Sequence, residues 1–191
     1  MKKLLFIGFL GLMTACSPGT SNTKDGADTL KAQVSAPSDY DPEAKLKELG
    51  IELSTPSAPV ANYVNAVRTG NLVFLAGKGP SKPDGSYVTG KVGVDLTIEQ
   101  GYEAGRLTAI SQLSVLKAEL GDLRKVKRIV KVLGMVNCAP DFADQPKVVN
   151  GYSDLMVAVF GERGKHARAA VGMGSLPNNI AIEVEMIVEV E

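Results

Sequence analysis

The chain has 191 residues, with 21 basic and 21 acidic side chains for a formal charge of zero, one His, two Cys and no Trp. That balance argues against a nucleic-acid partner, which calls for a basic face or an aromatic stacking platform. The single His166 excludes a multi-histidine metal site, and neither a metal nor a cofactor is expected.

At the N-terminus, Lys2 and Lys3 precede an apolar run from Leu4 to Met13 and the small residues Thr14 and Ala15, the order of a secretory signal peptide over residues 1–15. The apolar run is well short of the roughly 20 residues that a membrane-spanning helix needs. Leu12-Met13-Thr14-Ala15-Cys16 resembles the lipobox of bacterial lipoproteins, with Met13 where Leu is usual. The resemblance implies a diacylated Cys16; cleavage after Ala15 that leaves a free thiol is the alternative. Two or three acyl chains anchor stably, where one binds only marginally. Residues 16–40, rich in Ser, Thr, Gly, Asp and Lys, read as the lipidated Cys and a flexible tether, and residues 41–191 as one domain. Ser17 stands where lipoproteins retained in the inner membrane commonly carry Asp. The expected location is therefore outside the cytoplasm, anchored to the outer membrane and facing the periplasm. With Cys16 acylated, Cys138 has no disulfide partner, and its place after a strand-like run marks a structural thiol.

Within the domain, Asp41-Pro42 supplies an N-cap and a first-turn Pro for a short helix over Glu43 to Leu49, which Gly50 ends. Tyr63–Arg68 and Leu72–Ala76 read as two strands joined through Thr69-Gly70-Asn71. Thr97 and Gln100 form a capping box for a long helix, in which Tyr102, Ala109, Leu113, Leu116 and Leu120 recur at helical spacing until Gly121. A strand follows over Arg128–Asn137. Asp144-Gln145-Pro146 then opens a second helix, with Val149, Tyr152, Met156 and Val159 on one face. A strand around Ala167–Met173, a turn at Leu176-Pro177-Asn178-Asn179 and an alternating strand from Ile180 to Val190 complete the chain. The order ββ, α, β, α, ββ predicts an α+β fold, a single sheet with two helices on one face. The alternation on the penultimate strand is read with Ala167, Ala169, Val171 and Met173 toward the helices. Arg168 would then share the opposite face with Glu183.

Gly164-Lys165-His166-Ala167-Arg168-Ala169-Ala170-Val171-Gly172, then Leu176-Pro177 and Ile182-Glu183-Val184-Glu185-Met186-Ile187, strongly resembles the C-terminal signature of the Rid family, the reactive-intermediate deaminases also called YjgF or L-PSP proteins. Asn62-Tyr63-Val64, Leu75-Ala76-Gly77, Val130 to Asn137 and Asp141-Phe142 extend the resemblance over about Val60 to Glu191. It implies a chorismate-mutase-like fold with a mixed sheet and a homotrimer with clefts between subunits. There, small carboxylate-bearing enamine or imine acids would be hydrolysed to 2-keto acids and ammonia. By the same resemblance Arg168 grips the substrate carboxylate, as a planar, permanently charged guanidinium can, and Glu183 holds or activates the water. Tyr63, Gly77 and Asn150 would line the cleft.

Three departures bear on that transfer. Ala170 stands where deaminase members usually carry Cys, although the backbone carbonyl used there is kept. Lys78 replaces a frequent Gln and adds a cation, and about four extra residues between Phe142 and Asn150 loosen the match at Asn150. A trimer that binds a small carboxylate without turnover is the alternative function, and endoribonuclease activity is disfavoured by zero net charge. His166 reads as a surface imidazole.

Overall fold

A computed structural model describes residues 39–59 and 61–191; the expected signal peptide, Cys16 and most of the expected tether lie outside the described residues. Asp41 caps helix α1 (Pro42–Glu48), its carboxylate accepting from the Glu43 and Ala44 amides. The hairpin is β1 (Ala66–Thr69) and β2 (Leu72–Lys78), joined by two residues rather than three, because Thr69 pairs directly with Leu72. Tyr63, Val64 and Asn65 precede the strand instead of belonging to it. Helix α2 (Ile98–Leu120) carries both bonds of the expected capping box. After it come β3 (Val126–Asn137), α3 (Gln145–Phe160), β4 (Ala167–Met173) and β5 (Ile182–Val190).

The five strands form one mixed sheet in the order β1-β2-β5-β3-β4, parallel only between β3 and β4. Alternation on β5 sends Ile182, Val184, Met186, Val188 and Val190 into the core beneath the two long helices. Helix α3 meets them with Val148, Val149, Tyr152, Met156 and Val159, and the Tyr152 hydroxyl reaches Met186 Sδ at 3.0 Å. The helices cross closely at Gly151, where a Cβ would stand 2.8 Å from the Tyr102 carbonyl carbon. Helix α3 lies over β3 and β4, where a Cβ on Gly134 would meet Val149 and Arg168 bonds Asn150. Among the described residues, no helix is long and apolar enough to cross a membrane.

Among the described residues, no layer covers the other face of the sheet. Val67 and Phe74 are paired across β1 and β2, and Phe74 faces Ile187 on β5. Phe74, Leu133, Ala169 and Ile187 line a shallow groove there, rimmed by Lys131 and Glu185. Phe74 is 41% exposed and Val67 56%.

Ala169 in that groove corrects the alternation expected for β4. Arg168 points toward the helices, bonded to two α3 side chains, while Ala170 packs against the core and a Cβ on Gly172 would meet Gln145 and Cys138. Ala167, Ala169, Val171 and Met173 therefore face away. Small, similar side chains on β4 gave alternation no contrast to work on, and the apolar character of the uncovered face hid which parity was the core.

Candidate functional site

The residues singled out in the sequence fall into two groups. In the first, Arg168 on β4 extends its guanidinium to α3, where Nη1 donates to Asn150 Oδ1 at 2.9 Å and to Ser153 Oγ at 3.0 Å. Both acceptors are neutral, and among the described residues no carboxylate lies within ion-pair distance of Arg168. A half-buried cation with its charge uncompensated, and with Nε and Nη2 uncommitted to these bonds, is suited to receive a carboxylate in a bidentate pair. Ala170 lies two residues along β4 on the same face.

Ser153 went unremarked in the sequence. It stands three residues after Asn150, on the same helical face, so the spacing would have found it had α3's orientation over β4 been known. His166 also departs from expectation. It is half-buried, with Nδ1 2.7 Å from the Gly164 carbonyl oxygen and Nε2 3.1 Å from Ser153 Oγ. Burial, and secondarily the Arg168 charge, outweigh the Gly164 bond and hold its pKa below the ordinary histidine value.

The second group surrounds Glu183. The β2–β5 register slips between Leu75 and Lys78, and within the slip Gly77 leaves room that the Glu183 side chain fills: a Cβ at position 77 would stand 2.9 Å from Glu183 Cδ. Burial, and then the neighbouring Glu185 charge, push the Glu183 carboxyl above its usual range. From α2, the buried Gln112 donates to the carbonyls of Ala76 and Val184 on either side of the slipped register. Lys78 Nζ donates to Asn65 Oδ1 at 2.6 Å, and desolvation lowers its pKa. Tyr63, 49% exposed, lies two residues before Asn65.

Within one protomer the groups do not meet. Glu183 pairs with Met135 on β3, which pairs in turn with Val171 on β4, three residues beyond Arg168. Two strand spacings and three residue rises separate the backbones by roughly 14 Å. The side chains also leave opposite faces of the sheet, so the shared face expected for Arg168 and Glu183 is overturned by the reversed parity of β4. Cys138 is buried, its Sγ 3.8 Å from Gln145 Nε2, as expected of a structural thiol.

Known proteins match this chain across the region that holds both groups. The family model described as "YjgF/chorismate mutase-like, putative endoribonuclease" matches residues 43–190. Protein TCP17 of Trypanosoma cruzi is 44% identical over 147 residues, 76% of this chain and 92% of TCP17. A 2-iminobutanoate/2-iminopropanoate deaminase of Dermatophagoides farinae is 30% identical over 142 residues, 73% of this chain and 95% of the deaminase. The crystal structure of Atu1372, a protein of unknown function from Agrobacterium tumefaciens, matches with a TM-score of 0.74 at 43% identity, covering 78% of this chain and 92% of that one.

Proposed function

Because the chain belongs to the YjgF/chorismate mutase-like family, we propose that it hydrolyses small enamine or imine acids to 2-keto acids and ammonia, in a cleft assembled between subunits of a homotrimer. The observation that carries this reading is the Arg168 guanidinium, held by neutral partners and, among the described residues, without a carboxylate to pair its charge. A substrate carboxylate docking there would present its α-carbon at a fixed distance from the guanidinium plane.

Hydrolysis then needs a base for water, and the protomer that supplies Arg168 has no Glu183 within reach. The reading therefore sets Glu183 of a neighbouring subunit across the cleft, accompanied by Gly77, Lys78 and Tyr63, while Asn150 and Ala170 accompany Arg168. Glu183 takes a proton from water as the oxygen attacks the imine carbon. The resulting amino alcohol expels ammonia once its nitrogen is protonated, and the carbonyl of the keto acid forms. A carboxylate with a raised pKa is a stronger base while ionised, which suits that step. The uncovered sheet face supports the oligomer, since a contiguous apolar patch of this kind is commonly an interface between copies.

Ammonia release from freshly generated 2-aminoacrylate and larger imino acids, for the wild type and Arg168→Ala, tests the reading. Acceleration that depends on Arg168 supports it. Binding of the 2-keto acid without acceleration makes the cleft a receptor, a second reading that the uncompensated Arg168 charge serves equally well. We also propose that Cys16 carries the lipid anchor, residues 17–40 space the domain 41–191 from the outer membrane, and the cleft works in the periplasm. Incorporation of labelled palmitate that is lost in Cys16→Ala is the expected result.

A further inference from the structure

The bonds around Arg168 run in one direction, and the direction is set at their far end. The Gly164 carbonyl can only accept, so His166 Nδ1, 2.7 Å away, carries the proton of the neutral imidazole. His166 Nε2 is then an acceptor, and the group 3.1 Å from it is the Ser153 hydroxyl, which must donate. With its hydrogen committed to His166, Ser153 Oγ presents only lone pairs to Arg168 Nη1 at 3.0 Å. The second Nη1 hydrogen goes to Asn150 Oδ1. Local packing fixes the far end as well. A Cβ on Gly164 would stand 2.6 Å from the Met156 carbonyl carbon, so only Gly lets the chain lie against α3 on its way into β4.

We propose that Ser153 and His166 are positioning residues that orient Arg168 without neutralising it, His166 acting through Ser153. This deepens the reading of Arg168 as the carboxylate anchor and rests on it. A carboxylate at position 153 would orient the guanidinium equally well, but it would compete with the substrate for the charge. The relay avoids that, because every acceptor in it is neutral and it terminates on a backbone carbonyl. Each bond in the series also polarises the next, making Ser153 Oγ a better acceptor than an isolated hydroxyl. A lone serine could rotate its hydrogen toward Arg168 and lose the contact. His166 denies it that rotamer.

The test is calorimetric binding of pyruvate and 2-oxobutanoate, the stable product class, to the full chain and its variants, with deaminase kinetics alongside. Ser153→Ala should weaken binding about tenfold, and His166→Ala somewhat less, while the double variant is no weaker than Ser153→Ala alone. Ser153→Thr, which keeps the hydroxyl, should bind within twofold of wild type. The loss should appear in KM more than in kcat, and Ser153→Ala should have no further effect in an Arg168→Ala background. Keto-acid binding unaffected by Arg168→Ala would remove the anchor reading itself. Binding that needs Arg168 but is indifferent to Ser153→Ala and His166→Ala would refute the relay alone. Should His166→Ala fold poorly, the Ser153→Ala and Ser153→Thr pair decides.

Discussion

A methyl group at position 77 should uncouple catalysis from stability. In Gly77→Ala, the new Cβ would stand 2.9 Å from Glu183 Cδ and 3.0 Å from its Cγ, where carbon atoms rest at about 3.5–4.0 Å. The atoms in the way belong to a half-exposed side chain rather than to backbone, so Glu183 rotates aside by about 1 Å or more and the strand stays. An off-rotamer glutamate costs about 0.5–1.5 kcal/mol, and loss of glycine's unfolded-state freedom returns about 0.4–1 kcal/mol. The unfolding free energy read from urea denaturation should therefore change by less than about 1 kcal/mol. Displacing a base by an ångström costs on the order of 100-fold in rate, and ammonia release should fall by about that factor. The double variant Gly77→Ala/Glu183→Gln should be no slower than Glu183→Gln alone, since the alanine acts only through the carboxylate. Unchanged ammonia release by Gly77→Ala, or additive losses in the double variant, would refute the placement of Glu183 at the chemical step.

Three further outcomes are expected. Arg168→Lys leaves too few donors for Asn150, Ser153 and a bidentate carboxylate together, and the loss of a charged bond, about 1.5–3 kcal/mol, should raise KM tenfold or more in steady-state assays. Glu183→Gln should abolish activity while giving a thermal midpoint at pH 7 at or above that of the wild type. The sign follows from the raised pKa: the folded state favours protonated Glu183, so its contribution is present below the unfolded glutamate pKa and is lost as pH rises through the folded one. The gap between the two proteins should close as pH falls from the raised folded pKa to below the ordinary glutamate value, and wild-type activity should already decline at the upper end of that descent, as the base is protonated. If the uncovered face is the interface of the proposed trimer, Phe74→Asp, opposite Ile187, should sediment as a monomer where the wild type sediments as a trimer, with unchanged far-ultraviolet circular dichroism and no deaminase activity.

Much of the fold was legible because contrast was high. Thr97 and Gln100 marked the start of α2, Gly121 its end, and the glutamates alternating with Ile, Val and Met made β5 unambiguous about its core face. On β4, Ala167, Ala169 and Ala170 carry no such contrast, and with the uncovered face itself apolar the parity reversed. That reversal carried Arg168 to the helix side and separated it from Glu183. Tyr63, Gly77, Lys78, Asn150 and Ala170 were expected around a single cleft with Arg168 and Glu183; the split that sets Asn150 and Ala170 beside Arg168 and Gly77 against Glu183 emerges only from the fold. Ser153 and the buried role of His166 were not expected, because both depend on the crossing of α3 over β4. The placement of α3 goes with close approaches at Gly134, Gly151 and Gly164, whose meaning is steric and appears only when the elements are packed.

Sharing of the site between subunits is tested most directly by subunit mixing. Arg168→Ala and Glu183→Gln, each inactive alone, are co-refolded in equal amounts and assayed for ammonia release from 2-aminoacrylate. If each cleft takes Arg168 from one protomer and Glu183 from its neighbour, random assortment restores about a quarter of the sites, by the geometry of a closed cyclic oligomer. Mixed trimers that stay as inactive as their parents would contradict the shared cleft.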